Sequence, residues 1–269
     1  MRTPVLVVGS LGLDSLKTPS GAVEKTLGGT ASYFSLAASL YTDVRLVAAV
    51  GNDFPQAYRE LLEGRTIDLT GLEIMDGETF RWKGQYGEDL NVAETLELQL
   101  NVFADFHPKI PAAYRSSNIV FLANIQPGLQ LEVLEQVEGP SLVAVDSRDL
   151  WIQVSRDALT EVIRRAQLVF LNDGEIRQYA GVSNLVAAAR KVLELGPQIV
   201  IVKKGEHGAL LLSKNGDVFA VPAFPHEVVN DPTGAGDSFA GGVLGYLAST
   251  GASDAPSWGI FRAYVFQTC

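Results

Sequence analysis

Cysteine is nearly missing from this chain: the single one, Cys269, stands at the last position. No disulfide framework can form within the chain, and a reducing compartment, the cytoplasm, is the expected setting. A surplus of cations is missing too. With 21 Lys and Arg against 31 Asp and Glu, the formal net charge is −10. That balance argues against a general nucleic-acid binder, because phosphate backbones demand a surplus of Lys and Arg. It does not forbid one anionic ligand in a locally positive pocket. Histidine is scarce and scattered, at His107, His207 and His226, so a zinc site is not expected. No apolar stretch approaches the roughly 20 residues of a membrane span. The apolar run within Met1–Gly9 is too short for a signal peptide and reads as a first strand. The sequence also lacks a G-x-x-x-x-G-K-[S/T] P-loop, a dinucleotide-type G-x-G-x-x-G and a G-x-S-x-G elbow.

What is present suffices for a large folded unit. The 269 residues, 47% of them hydrophobic, fit one α/β domain over 1–269 with a small appendage. No internal repeat, low-complexity tract or linker interrupts it. Val5–Gly9, Arg45–Gly51, Ile119–Asn124, Leu142–Asp146, Leu168–Asn172 and Ile199–Lys203 are nearly continuous apolar runs, as expected of strands covered on both faces. Amphipathic stretches lie between them: Phe54–Glu63, Leu129–Val137, Arg156–Ala166 and Asn184–Leu195. Such alternation predicts a parallel sheet between helices, with ligands outside the carboxyl ends of the strands.

One stretch departs from that pattern. Between Leu72 and Phe103, after the Asp76-Gly77 turn signal, apolar and polar residues alternate with period two, most clearly over Leu96–Val102. This predicts a β-ribbon with one apolar face, serving as a lid or a dimer surface; a plain solvent-exposed extension of the sheet is the alternative. The polar turn Lys214–Asp217 predicts a hairpin joining Ala209–Ser213 to Val218–Pro222.

The most informative run is Asn230-Asp-Pro-Thr-Gly-Ala-Gly-Asp-Ser-Phe-Ala-Gly-Gly242. The small residues Gly234, Ala235 and Gly236 allow a ligand close to the backbone. Their amides, with that of Asp237, open a helix, an arrangement that binds anions and stabilises a transferring phosphoryl group. A carboxylate beside such a site repels an anion. Asp237 therefore makes sense as a general base for an attacking hydroxyl, or as a helix cap.

Asp231-Pro-Thr-Gly-Ala-Gly-Asp237 resembles the D-x-x-G-A-G-D signature of the PfkB/ribokinase family, and the resemblance covers nearly the whole chain in order. It implies an α/β fold, a three-layer α/β/α ribokinase-like (Rossmann-like) sandwich with a small β-sheet lid built from about 12–27 and 72–105. It also implies transfer of a phosphoryl group from ATP, with magnesium, to a hydroxymethyl group of a sugar or nucleoside. By resemblance Asp237 is the catalytic base, Gly234, Ala235 and Gly236 form the anion hole, and Asp231 and Thr233 help hold a monovalent cation, potassium being the candidate.

Further segments match. Gly9-Ser-Leu-Gly-Leu-Asp14 resembles the family's first strand end, whose Asp binds substrate hydroxyls; by itself Asp14 also reads as a loop cap. Gly28-Gly29 resembles the glycine pair that brings a helix close to the substrate. Asn172-Asp-Gly-Glu175 resembles the N-x-x-E motif, which implies that Glu175 acts through water on magnesium; a first-turn residue favoured by the helix dipole is the plainer reading. Lys203-Lys-Gly-Glu-His-Gly208 resembles the stretch lining the nucleotide, which implicates Lys203, Gly205 and Gly208 and leaves His207 as a solvated turn residue.

Two departures stand out. Tyr33 occupies the fourth position after the glycine pair, where the family often has a sugar-binding Asn; an aromatic there stacks on a sugar or base, or packs in the core. The family also continues through further helices that close the adenine pocket, whereas this chain stops at Cys269. A truncated frame is therefore expected. A non-catalytic sugar- or nucleoside-binding protein that keeps the kinase fold is the alternative, and a homodimer through the lid is compatible with the kinase reading.

Overall fold

A computed structural model describes residues 3–90 and 93–250. Along the chain run β1 (Val5–Val8), β2 (Gly12–Thr18), β3 (Gly21–Gly28), α1 (Thr30–Ala38), β4 (Val44–Gly51), α2 (Gln56–Glu63), β5 (Ile67–Met75), β6 (Arg81–Tyr86), β7 (Ala93–Gln99), α3 (Ala112–Arg115), β8 (Ile119–Leu122) and α4 (Pro127–Leu134). There follow β9 (Leu142–Asp146), α5 (Asp149–Val154), α6 (Arg156–Arg165), β10 (Leu168–Asn172), α7 (Asp173–Ala180), α8 (Leu185–Leu193), β11 (Ile199–Lys203), β12 (Ala209–Ser213), β13 (Val218–Val221) and α9 (Ala235–Ser249).

Nine strands form the main sheet in the order β13-β12-β11-β10-β9-β8-β1-β4-β5. From β11 to β5 all neighbours pair in parallel, and the β12–β13 hairpin adds an antiparallel edge. The Val/Ile/Leu runs read from the sequence become these strands because both faces are covered. Along β1, Val5 and Val7 join one core cluster with Phe34, Phe121, Phe170 and Leu244, while Leu6 and Val8 join the other with Val120, Ile163 and Val192. Helices α1 and α9 thus cover one face, and α4, α6, α7 and α8 the other. Tight packing of α9 on α1 depends on small residues: a Cβ on Gly241 would stand 2.3 Å from the Phe34 carbonyl oxygen, and one on Gly245 2.8 Å from the Ala38 Cα. This contact sets Tyr33, on α1, against the start of α9. The three-layer α/β/α architecture expected from the sequence is present.

A second sheet of four strands, in the order β3-β2-β6-β7, forms the lid. Its two hairpins join where β2 runs parallel to β6, with Asp14 opposite Trp82. The expected lid segment 72–105 is narrower in the structure. Leu72–Met75 belong to β5, which pairs in parallel with β4 at the edge of the main sheet. The strand expected over Leu96–Val102 ends at Gln99, because Asn101 adopts φ 49° and donates from its side chain to the Thr79 carbonyl at 2.9 Å, opening a 3₁₀ turn over Asn101–Asp105. Among the described residues no helix is long and apolar enough to cross a membrane.

Candidate active site

The ends of β9, β10 and β11 and the first turn of α9 converge at the carboxyl edge of the main sheet, where open α/β sheets hold their ligands. The turn into α9 is built by its own sequence. Asp231 accepts a hydrogen bond from the Thr233 amide (2.9 Å), and Gly234 takes φ 72°, a left-handed conformation that favours glycine. A Cβ on Gly234 would also lie 2.2–2.5 Å from the Tyr33 ring. The Ala235 amide donates back to the Pro232 carbonyl (3.1 Å). Of the three residues expected to form an anion hole, Ala235 therefore has its amide already engaged, and the amides of Gly236 and Asp237 follow it at the helix N-terminus.

Asp237 lies half-buried in that first turn. Burial pushes its carboxyl up to about 8; Asp146, Glu175 and Asp14 push the same way, and Lys203 opposes them. The Lys203 ammonium pairs with Asp146 at 2.5 Å, the two side chains being 17% and 3% exposed. A Cβ on Gly236 would come within 3.1 Å of the Lys203 Nζ, so the cation sits directly beneath the loop. Its charge is held by the carboxylates of Asp146, Glu175 and Asp237, which together outweigh the desolvation that opposes it.

Asn172 and Glu175 form a reciprocal capping box at the start of α7: each side chain accepts from the other's amide at 2.7 Å. The box gives both side chains a backbone partner within the first turn of the helix. Glu175 is nonetheless unusual for a cap, since burial pushes it up to about 7.

Asp14, on β2, is 4% exposed and accepts from the Gly29 amide, while its Oδ1 has no protein partner. Burial pushes this carboxyl up to about 7, the Gly29 amide opposes that, and Asp231 adds to it. Gly28 is required here, because a Cβ would fall 2.0 Å from the Asp14 carboxylate. A buried carboxylate oxygen with no donor, beside a glycine that clears its approach, suits a hydroxyl-bearing ligand. Tyr33 is raised by burial and then by Asp14, Asp231 and Asp237. Its ring is partly buried and lies against Gly234 at the start of α9.

A cleft of about 980 Å³ adjoins this centre. Lys203, Gly205, Gly208, Asp231, Ala235 and Gly236 line it, as do Phe224, His226 and Phe239, and Glu88 and Asp89 from the lid turn. Asp237, Thr233, Gly234, Asn172, Glu175, Asp14, Gly28, Gly29 and Tyr33 do not line this cleft. The Thr233 hydroxyl, expected near a cation, donates to the Tyr86 phenol at 3.1 Å. His207 is exposed, as expected of a turn residue. Among the described residues no three His, Cys, Asp or Glu are placed to hold a metal ion by themselves.

Sequence reasoning missed two features. Asp146 ends a predicted parallel strand, and the rule that ligands sit at strand ends could have flagged it. Phe224 with His226 (ring centroids 5.1 Å apart) carried no local signal.

Residues 2–256 match the model of the pfkB family of carbohydrate kinases. The chain is 31% identical over 265 residues to a cytidine kinase of Thermococcus kodakarensis, a match covering 96% of this chain and 94% of that one. Such coverage lends no support to the expected truncation, which falls on residues 251–269, outside the described ones. A nucleoside kinase of Burkholderia thailandensis in complex with inosine superposes with a TM-score of 0.75 at 21% identity, over 98% of this chain and 89% of that one. A ribokinase of Cryptococcus neoformans in complex with ADP gives 0.79 at 21%, over 98% and 91%. At those identities the two structures speak for the fold. With the family model spanning most of its length, this chain belongs to the pfkB family of carbohydrate kinases.

Proposed function

We propose that this kinase moves the γ-phosphoryl group of ATP onto the hydroxymethyl group of a nucleoside, with Asp237 as general base. The observation that carries the reading is the half-buried Asp237 carboxyl at the N-terminus of α9, beside the Gly236 amide and above Lys203. A nucleoside is favoured over a free sugar because the Thermococcus relative is a cytidine kinase and because two aromatic residues, Tyr33 and Tyr86, stand near Asp14.

In this reading Asp14 accepts from ribose hydroxyls, Gly28 and Gly29 admit the sugar, and Tyr33 forms a wall. The acceptor oxygen attacks the γ-phosphorus. A new O–P bond forms as the bond to the bridging oxygen breaks, ADP leaves with that electron pair, and the acceptor proton goes to the Asp237 carboxylate. The amides of Gly236 and Asp237 stabilise the charge on the transferring group, with Gly234 and Ala235 shaping the turn that aims them. Lys203, Gly205 and Gly208 border the phosphates and nucleotide, and Asn172 fixes Glu175 beside them.

The donor set fits magnesium: buried carboxylates and, among the described residues, no protein metal cage, as suits an ion that keeps its waters and binds phosphate oxygens. Glu175 would hold it through water, and its chemistry is neutralisation of phosphate charge. Asp231 and Thr233 would hold a potassium ion; Asp231 already accepts the Thr233 amide, so a cation there shares that carboxylate. A homodimer through the lid belongs to the same proposal, since Val23, Leu96 and Leu98 are about half exposed on its strands. Light scattering that shows a monomer at working concentration would reject it.

The test is ADP release from magnesium-ATP against cytidine, uridine, adenosine, inosine, ribose and fructose. Turnover led by a nucleoside supports the proposal. Turnover led by a free sugar moves the assignment to a sugar kinase, and binding without turnover moves it to a binding protein.

A further inference from the structure

The hydrogen bond between Tyr86 and Thr233 joins residues 147 positions apart and links two parts of the molecule that share no strand pairing. Tyr86 ends β6 in the lid sheet, and Thr233 immediately precedes Gly234, the residue that turns the chain into α9. Thr233 is held twice, its amide by the Asp231 carboxylate at 2.9 Å and its hydroxyl by the lid at 3.1 Å. The Tyr33 ring packs against the next residue, Gly234. The short segment that aims the amides of Gly236 and Asp237 is thus held by two tyrosines, one from the lid and one from α1.

From this we infer that Tyr86 is a positioning residue: its phenol couples the closed lid to the Thr233–Gly234 turn, so that the anion-binding amides are set for transfer only when the lid is down over an acceptor. Glycine at 234 makes the coupling necessary, since its backbone has the widest choice of conformations. A turn free to relax would misdirect the amides. A lid without the latch would admit water as a competing acceptor. The inference rests on the kinase reading of the site and adds to it how the acceptor side governs the nucleotide side.

Four variants test it: Tyr86→Phe, Thr233→Val, Thr233→Ser and the double variant Tyr86→Phe/Thr233→Val. For each, phosphorylation of the best acceptor and loss of the γ-phosphate to water are measured. One neutral hydrogen bond supports an effect of about three- to tenfold. Tyr86→Phe and Thr233→Val should each lower transfer by that factor and raise the ratio of hydrolysis to transfer severalfold. Thr233→Ser, which keeps the hydroxyl, should retain more transfer than Thr233→Val, and the double variant should be no worse than either single one.

Independent, multiplying effects would overturn the inference, as would a Thr233→Ser variant as poor as Thr233→Val, or an unchanged hydrolysis ratio. Should Tyr86→Phe fail to fold, the Thr233 pair decides alone. Should the parent chain transfer phosphate to no acceptor, the proposed function falls, and the latch is read from hydrogen exchange instead. Faster exchange of the 233–237 amides in Tyr86→Phe supports it, and unchanged exchange overturns it.

Discussion

Replacing Lys203 by Met removes the cation beneath the anion-binding turn and leaves Asp146 buried without its ion-pair partner. Asp146 is 3% exposed on its side chain; it keeps the Ser147 amide at 2.8 Å, but its charged neighbours Glu175 and Asp237 are also acidic. Breaking a buried ion pair from one side costs about 3–5 kcal/mol. The cost depends on pH with a definite sign. Burial already raises Asp146, Glu175 and Asp237, and Lys203 is the group that pulls each of them down most. Without it their folded-state values climb further.

A carboxyl raised on folding contributes stability that is fully present below its unfolded value, near 4, and is lost as pH rises through the folded one. The deficit of Lys203→Met should therefore be largest at pH 8. It should shrink toward pH 5.5, by up to about 1.4 kcal/mol per pH unit for each extra proton the folded variant holds. Urea unfolding at the two pH values reads this directly. The double variant Lys203→Met/Asp146→Leu should regain at least half of the loss, because an apolar pair suits the site. A single variant within about 1 kcal/mol of the parent at pH 8, or a deficit that grows as pH falls, would refute the reasoning.

Further expectations concern the turn, the acceptor and the pH profile. Gly234→Ala places a Cβ at φ 72° and against the Tyr33 ring, so it should cost about 2–3 kcal/mol by urea unfolding; adding Tyr33→Ala should return the part due to the clash, leaving about 1 kcal/mol of backbone strain. An unaffected Gly234→Ala chain contradicts this. Asp14→Asn should raise the acceptor KM at least about tenfold and leave the ATP KM within about twofold, as the loss of a charge-assisted contact predicts; equal changes in both would place Asp14 elsewhere. In the free enzyme the reactive form of Asp237 is the ionised one, so kcat/KM should rise with pH through about 8 and level off above it. A rate that falls over that interval would remove it as the base.

Much of this was legible in the sequence because it is locally determined. Leu142–Asp146, Leu168–Asn172 and Ile199–Lys203 fold as strands over the ranges read from them, since a strand buried on both faces must be apolar throughout. The turn at 231–237 is equally local, its Asp, Thr and Gly each meeting a backbone need within a few residues. Period-two alternation was a weaker guide. It shows that one face is exposed but not which sheet holds the strand, so β5, an edge strand of the main sheet, read as part of the ribbon. The pairings of Asp146 and Tyr86 were not legible. Their partners Lys203 and Thr233 lie 57 and 147 positions away, and only the fold brings them together.

The central claim is that Asp237 takes the acceptor's proton. The most direct test is the turnover of Asp237→Asn on the best acceptor of the parent chain, with nucleotide and acceptor affinity measured separately. The account predicts a fall in kcat of about 10²–10⁴ with both ligands still bound near parent affinity, as loss of a general base requires. A folded Asp237→Asn chain that turns over at the parent rate would contradict it.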